Sequence, residues 1–191
     1  MSRRVINILI IISIASLFFL AWVKPQEIAG SDNISILFIL DNSGSMANND
    51  PSNLRYSAAR LFTSLLNEGD AAGALIFSNE AQRITQDIEI IQSQETKSQI
   101  SDKFQPVTAN GYTDVQAAFI LAEEMLNNSS NLPEEKVVIF LTDGEPEPLS
   151  PYSDYIRDTI NQAKSLGIPV LSIALTQGAA TEFLTDLSSE T

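Results

Sequence analysis

Residues 34–46 read ISILFILDNSGSM, and the change of character in the middle of that stretch decides the fold. Ile34 to Leu40 is apolar except for Ser35 and rich in Ile. It predicts a strand buried on both faces, the kind found in parallel sheets covered by helices. Asp41-Asn42-Ser43-Gly44-Ser45 can neither pack a core nor lengthen a helix. Alternation of Asp, Ser and Ser lets an extended or turning backbone project every second side chain the same way, and Gly44 permits a tight turn. A buried strand therefore ends in a turn that points oxygen atoms at something.

Three further runs share the character of the first: Ala71 to Phe77, Lys136 to Leu141 and Ile168 to Leu175. Helical patterns separate them. Leu54, Ala58, Leu61, Phe62 and Leu65 recur at helical spacing after Asp50-Pro51, an N-cap and first helical residue by type. Val115, Ala118, Phe119, Ala122, Met125 and Leu126 form a second stripe, entered through Thr113-Asp114; Thr113 is the expected N-cap and Asp114 an acidic partner for the helix dipole. Ile156, Ile160, Ala163 and Leu166 form a third, closed by Gly167 at C′. Arg83 to Ile91 fits an edge strand or hairpin, and Gln94 to Phe104 a weaker helix. Alternating strands and helices predict an α/β domain, a doubly wound and mostly parallel sheet with helices on both faces. Ligands of such sheets bind beyond the carboxyl ends of the strands, where the chain order reverses.

The chain of 191 residues has room for one domain of ordinary size, about 100–150 residues, and an appendage. The appendage is at the start. Val5 to Val23 is apolar apart from Asn7, Ser13 and Ser16, close to the roughly 20 residues that span a bilayer, and it predicts a transmembrane helix within residues 1–24. Trp22 falls at an interfacial position, and Arg3 and Arg4 before the run leave the N-terminus in the cytoplasm by the positive-inside rule. A signal sequence, cleaved to release the rest, is the alternative. Residues 25–33 have the composition of a tether, and 34–191 form the domain, outside the membrane.

All 24 Asp and Glu residues follow Val23, in a chain of net charge −13. Nucleic acid is excluded as a partner on charge, since phosphate requires cations. Cys and His are both absent, which removes disulfides, thiolate or imidazole zinc sites and Ser-His or Cys-His nucleophile pairs. Any metal must be held by oxygen.

Oxygen is abundant at the strand ends. Asp41 to Ser45 follows the first strand, Thr142-Asp143-Gly144-Glu145 follows the run ending at Leu141, and Asn110-Gly111-Tyr112-Thr113-Asp114 opens the helix between them. Such loops suit a hard cation, Mg²⁺, Mn²⁺ or Ca²⁺. Asp41-x-Ser43-x-Ser45, Thr113 in NGYTD and Asp143 in FLTDGEP together resemble the von Willebrand factor type A domain with its metal-ion-dependent adhesion site. All five positions of that site are present, in order and in separate segments. The resemblance implies that Ser43, Ser45 and Thr113 contact the cation through their hydroxyls, while Asp41 and Asp143 act largely through water or by hydrogen-bonding the coordinating groups. It implies a binding module and not an enzyme: a protein ligand presenting Asp or Glu fills the open coordination position. Glu145 and Glu147 beside Asp143 would repel such a ligand unless they point away or meet basic groups.

Other readings stay open. The turn can be a polar strand-to-helix loop that caps its own backbone. The metal can be structural, in a scaffold subunit of an envelope or export assembly. A Mg²⁺-dependent phosphohydrolase would use Asp41 as nucleophile or Asp143 as base, but no Gly-rich phosphate loop with Lys is present. The resemblance also implies a final edge strand after the last helix, which the sequence to Thr191 does not supply, and suggests a fragment of a longer protein.

Overall fold

Four strands of the sheet are built from the continuous apolar runs, and their pairing places the oxygen-rich turns side by side. The computed structural model describes residues 33–144, 152–176 and 181–188. In chain order the elements are β1 (Ile34–Asp41), α1 (Met46–Asn49), α2 (Leu54–Leu65), β2 (Ala71–Phe77), β3 (Ala81–Arg83), β4 (Glu89–Ile90), α3 (Gln94–Asp102), α4 (Val115–Asn128), β5 (Glu135–Thr142), α5 (Tyr152–Ser165), β6 (Val170–Ala174) and α6 (Thr181–Leu187). The expected membrane helix and tether, and Glu145 and Glu147, lie outside the described residues. Among the described residues no helix is long and apolar enough to cross a membrane.

The strands form one sheet in the order β3-β2-β1-β5-β6, with β4 also paired to β2. β1 is central, parallel to β2 from Ser35 opposite Ala71 to Asp41 opposite Phe77, and parallel to β5 from Ile34 opposite Glu135 to Leu40 opposite Leu141. β6 extends the parallel part beyond β5. β3 and β4 are short and antiparallel on β2, the edge structure expected between Arg83 and Ile91. Because β2 and β5 flank β1 on opposite sides, the chain order reverses at the end of β1, where an open α/β sheet offers a cleft.

Period-two alternation sorts the strand residues into two cores. Leu37, Ile39, Leu75, Phe77, Val138 and Phe140 pack with α4, α5 and α6. Ile36, Phe38, Leu40, Ile76, Ile139 and Leu141 pack with α2 and α3. Phe140 lies between two rings, stacked on Phe77 at 5.6 Å and tilted against Phe119 at 5.7 Å. Phe119, Phe140 and Phe183 are all buried, as their positions on apolar stripes and strands require.

Three expectations need correction. The apolar stripe of α2 is only half its inner face: Ala58 and Phe62 pack against the core, Phe62 beside Phe38, but Leu54, Leu61 and Leu65 are 61, 62 and 67% exposed, while Arg55, Tyr56, Ala59 and Thr63 are buried. Polar side chains share the inner face because partners wait there, Asp50 and Asn42 for Arg55 and the Ala59 carbonyl for Thr63. Asp50 also does not start the helix as its N-cap; Asn53 occupies that position with φ of 55°, and Asp50 reaches forward to accept from the amides of Leu54 and Arg55. Likewise Asp114, and not Thr113, caps α4, its Oδ1 accepting from Ala117 N at 3.1 Å. Gly167, with φ of 61°, closes α5 as expected.

Candidate metal centre

The end of β1 and the end of β5 bring four of the five candidate residues into one hydrogen-bonded group. Asp41, the last residue of β1, is fully buried. Its Oδ1 accepts from the Ser43 backbone amide at 2.8 Å, and its Oδ2 accepts from the Thr142 hydroxyl at 2.5 Å. The Ser43 and Ser45 hydroxyl oxygens lie 3.1 Å apart. Ser45 Oγ donates to Asp143 Oδ1 at 3.0 Å, and Asn49 Nδ2 donates to Asp143 Oδ2 at 2.9 Å. Ser43 and Asp143 are buried and Ser45 is exposed, so the group opens to solvent on the Ser45 side.

The fifth residue, Thr113, is buried on the neighbouring loop. That loop is tied to the first turn through its backbone: Gly44 N donates to Gly111 O at 2.9 Å, and Asn110 N to Asn42 O at 3.0 Å. No hydrogen bond joins the Thr113 hydroxyl to Asp41, Ser43, Ser45 or Asp143. The structure thus puts Thr113 on the adjoining wall and the other four in direct contact.

The electrostatics of the group call for a positive charge. Burial pushes the Asp41 carboxyl above the ordinary carboxylate range; hydrogen bonds from Thr142 and Ser43 work against that, and the nearby charge of Asp143 adds to it. Among the described residues no salt bridge reaches either Asp41 or Asp143, and the basic group buried in this region, Arg55, is paired with Asp50. A buried carboxylate without a cationic partner is costly. Two carboxylates and up to three hydroxyls, all oxygen, fit a hard divalent cation. Among the described residues no three His, Cys, Asp or Glu side chains cluster as a metal site, so a cation here would rest on hydroxyls more than on direct carboxylates. The Asp41 bond to the Ser43 amide is at the same time the self-capping interaction of a polar turn, and the two roles are compatible.

The sequence places Thr142 and Asn42 in the oxygen-rich turns, but it gives no sign that Thr142 and Asn49 hold the two carboxylates. Asn49 belongs to a helix of four residues, too short for a periodic signal.

A mostly parallel α/β sheet with a group of side-chain oxygens at the end of its central strand defines the architecture, and comparison with known proteins gives the family. The model of the von Willebrand factor type A domain matches residues 35–191, and the chain belongs to that family. It is 31% identical over 179 residues to the collagen alpha-1(VI) chain of Mus musculus, covering 81% of this chain and 17% of that one. It is 24% identical over 180 residues to inter-alpha-trypsin inhibitor heavy chain H6 of Homo sapiens, covering 91% of this chain and 14% of that one. The chain therefore spans less than a fifth of either relative. Among solved structures, proximal thread matrix protein 1 from the mussel byssus superposes with a TM-score of 0.66 at 18% identity, over 82% of this chain and 41% of that one; a further structure of it has a zinc-occupied MIDAS motif. The manganese-loaded TRAP protein of Plasmodium vivax gives 0.63 at 19% identity, over 82% of this chain and 62% of that one. These structural likenesses concern the fold.

Proposed function

We propose that the domain is a metal-dependent protein-binding module. Ser43, Ser45 and Thr113 would hold a divalent cation through their hydroxyls, with Asp41 and Asp143 acting from behind. The observation that carries this reading is the run of oxygens from Ser43 through Ser45 to Asp143, open to solvent above a buried Asp41 that lacks a cationic partner. Asp41 fixes the turn through the Ser43 amide and fixes β5 through Thr142. Asp143 orients the Ser45 hydroxyl and is itself held by Asn49. When bound, a cation neutralised by few direct carboxylates supplies a coordination position for an Asp or Glu oxygen of a partner protein. Mg²⁺, Mn²⁺ and Ca²⁺ are the candidates.

Both oxygens of Asp41 are engaged within the protein, which argues against a nucleophile and for binding over catalysis. The rest of the proposal concerns location: Val5 to Val23 anchors the chain in a membrane with its N-terminus cytoplasmic and the domain outside, or serves as a signal and releases it. A second reading, a structural cation in a scaffold subunit, draws on the Thr142 to Asp41 bond, which already joins β5 to β1.

Water-proton relaxation of the full chain in detergent, titrated with Mn²⁺, separates the two. A module for acidic partners retains exchangeable water on bound Mn²⁺, and acetate at millimolar concentration lowers the enhancement by replacing that water. Enhancement absent, or indifferent to acetate, removes the capture function and leaves at most a structural cation.

A further inference from the structure

Asn42 stands between two candidate cation-holding residues, yet its side chain turns away from them and every polar group it has is used. Its backbone N donates to Phe77 O at 2.8 Å and its backbone O accepts from Asn110 N at 3.0 Å. Its Nδ2 donates to Thr108 O at 3.1 Å. Its Oδ1 accepts from Arg55 Nη2 at 2.8 Å and from the Tyr56 hydroxyl at 3.3 Å. One side chain thus pins the end of β1 to α2 and to the 108–110 loop that leads to Thr113.

Arg55 is fully buried. Its Nη1 donates to Asp50 Oδ2 at 2.8 Å, its guanidinium lies 4.7 Å over the Tyr56 ring, and its Nε has no partner among the described residues. A buried arginine with one orphaned nitrogen is expensive. The two Nη contacts, one to the loop before α2 and one to Asn42, are what its position secures. A fork that reaches two acceptors in fixed geometry is a property of arginine that lysine lacks.

We infer that Arg55, acting through Asn42, is a positioning residue for the cation site: it sets the Asp41 to Ser45 turn against the loop carrying Thr113. This rests on the metal-binding reading of the preceding section, and goes beyond it by assigning the site's geometry to a buried pair outside the five motif positions. The claim runs against simple electrostatics. Removing a positive charge near a cation site should tighten cation binding, whereas loss of positioning weakens it.

The test uses the full chain in detergent, with Arg55→Met and, because that variant strands the Asp50 carboxylate, the double variant Asp50→Asn/Arg55→Met, which removes both charges together. The probe is Mn²⁺ alone, followed by calorimetry. Both variants are expected to lose about 10- to 100-fold in affinity, the usual cost of removing a residue that orients a metal's ligands, and Arg55→Lys is expected not to restore it. A second readout needs no metal. In the metal-free double variant, hydrogen exchange at the amides of Gly44 and Asn110 is expected to speed by about tenfold or more, as for loss of one buried hydrogen bond, while Met125 in α4 keeps its rate. Equal or tighter Mn²⁺ binding in the double variant, or exchange rising equally at Met125, overturns the inference and leaves the site standing. A wild-type chain that binds no Mn²⁺ instead refutes the metal-binding reading, and the exchange pattern still decides whether Arg55 holds the turn.

Discussion

Gly111 offers a perturbation whose cost can be worked out atom by atom. Its φ is +83°, a conformation costing an L-residue about 1–2 kcal/mol. A Cβ placed there would stand 2.7 Å from Asn79 Oδ1, the atom that accepts the Tyr112 amide at 2.7 Å. Gly111→Ala must therefore displace Asn79 and forfeit that hydrogen bond, worth about 0.5–1 kcal/mol in an exposed loop. The total is about 1.5–3 kcal/mol, or about 3–12 °C in Tm for a chain of this size. The assay is thermal unfolding in a chelator, with Asn79→Ala and the double variant completing a cycle. Asn79→Ala should cost its hydrogen bond in the wild-type background and close to nothing in the Gly111→Ala background, where that bond is already broken. Strictly additive costs, or a Gly111→Ala protein melting within about 1 °C of wild type, would refute the reasoning. The Gly111 carbonyl also accepts the Gly44 amide, so the same strain is felt at the candidate metal centre.

Phe140→Ala removes a fully buried ring and its contacts to Phe77 and Phe119; a loss of about 3–5 kcal/mol in urea unfolding is expected, and a loss below about 1 kcal/mol would mean that the β5 core is not packed as described. Asp114→Ala deprives α4 of its cap and Tyr155 of its acceptor, at about 1–2 kcal/mol, whereas Thr113→Val leaves that cap in place; equal effects on melting would return the capping role to Thr113. Burial makes Asp41 harder to ionise in the folded than in the unfolded chain. The folded state therefore holds that proton above the ordinary carboxylate pKa, and metal-free stability declines as pH rises through the interval up to the raised value. Asp41→Asn should abolish this part of the decline in urea unfolding as pH rises from the ordinary carboxylate pKa, and a pH profile identical to wild type would contradict it.

β1, β2 and β5 are legible in the sequence because strands buried on both faces leave uninterrupted runs of Ile, Leu, Val and Ala. Alternation with helices makes them parallel, so that the 41–45 and 142–143 turns fall at one edge of the sheet; that β1 and β5 are neighbours is seen only in the structure. What escapes is decided by tertiary partners. Leucine at 54, 61 and 65 looks like an inward stripe, but Arg55, Tyr56 and Thr63 share the inner face of α2 with Ala58, Ala59 and Phe62, because Asn42, Asp50 and the Ala59 carbonyl satisfy their polar groups. Asp50 and Asp114 are both recognisable as helix-start residues. Which amides they serve depends on Asn53 taking a left-handed conformation in one case, and on the Asp114 carboxylate meeting the Ala117 amide in the other. Asn42 is legible as a turn residue but its role is not, since that lies in contacts to distant segments.

Calorimetric titration of the full chain with Mn²⁺, beside Ser43→Ala and Thr113→Ala, decides whether these hydroxyls hold a cation. The account predicts one saturable site in the wild-type chain and its loss in both variants, although each variant remains folded by circular dichroism. A folded wild-type chain that takes up no Mn²⁺, or variants that bind it unchanged, would contradict the account and leave the Asp41 to Ser45 segment as a self-capped turn.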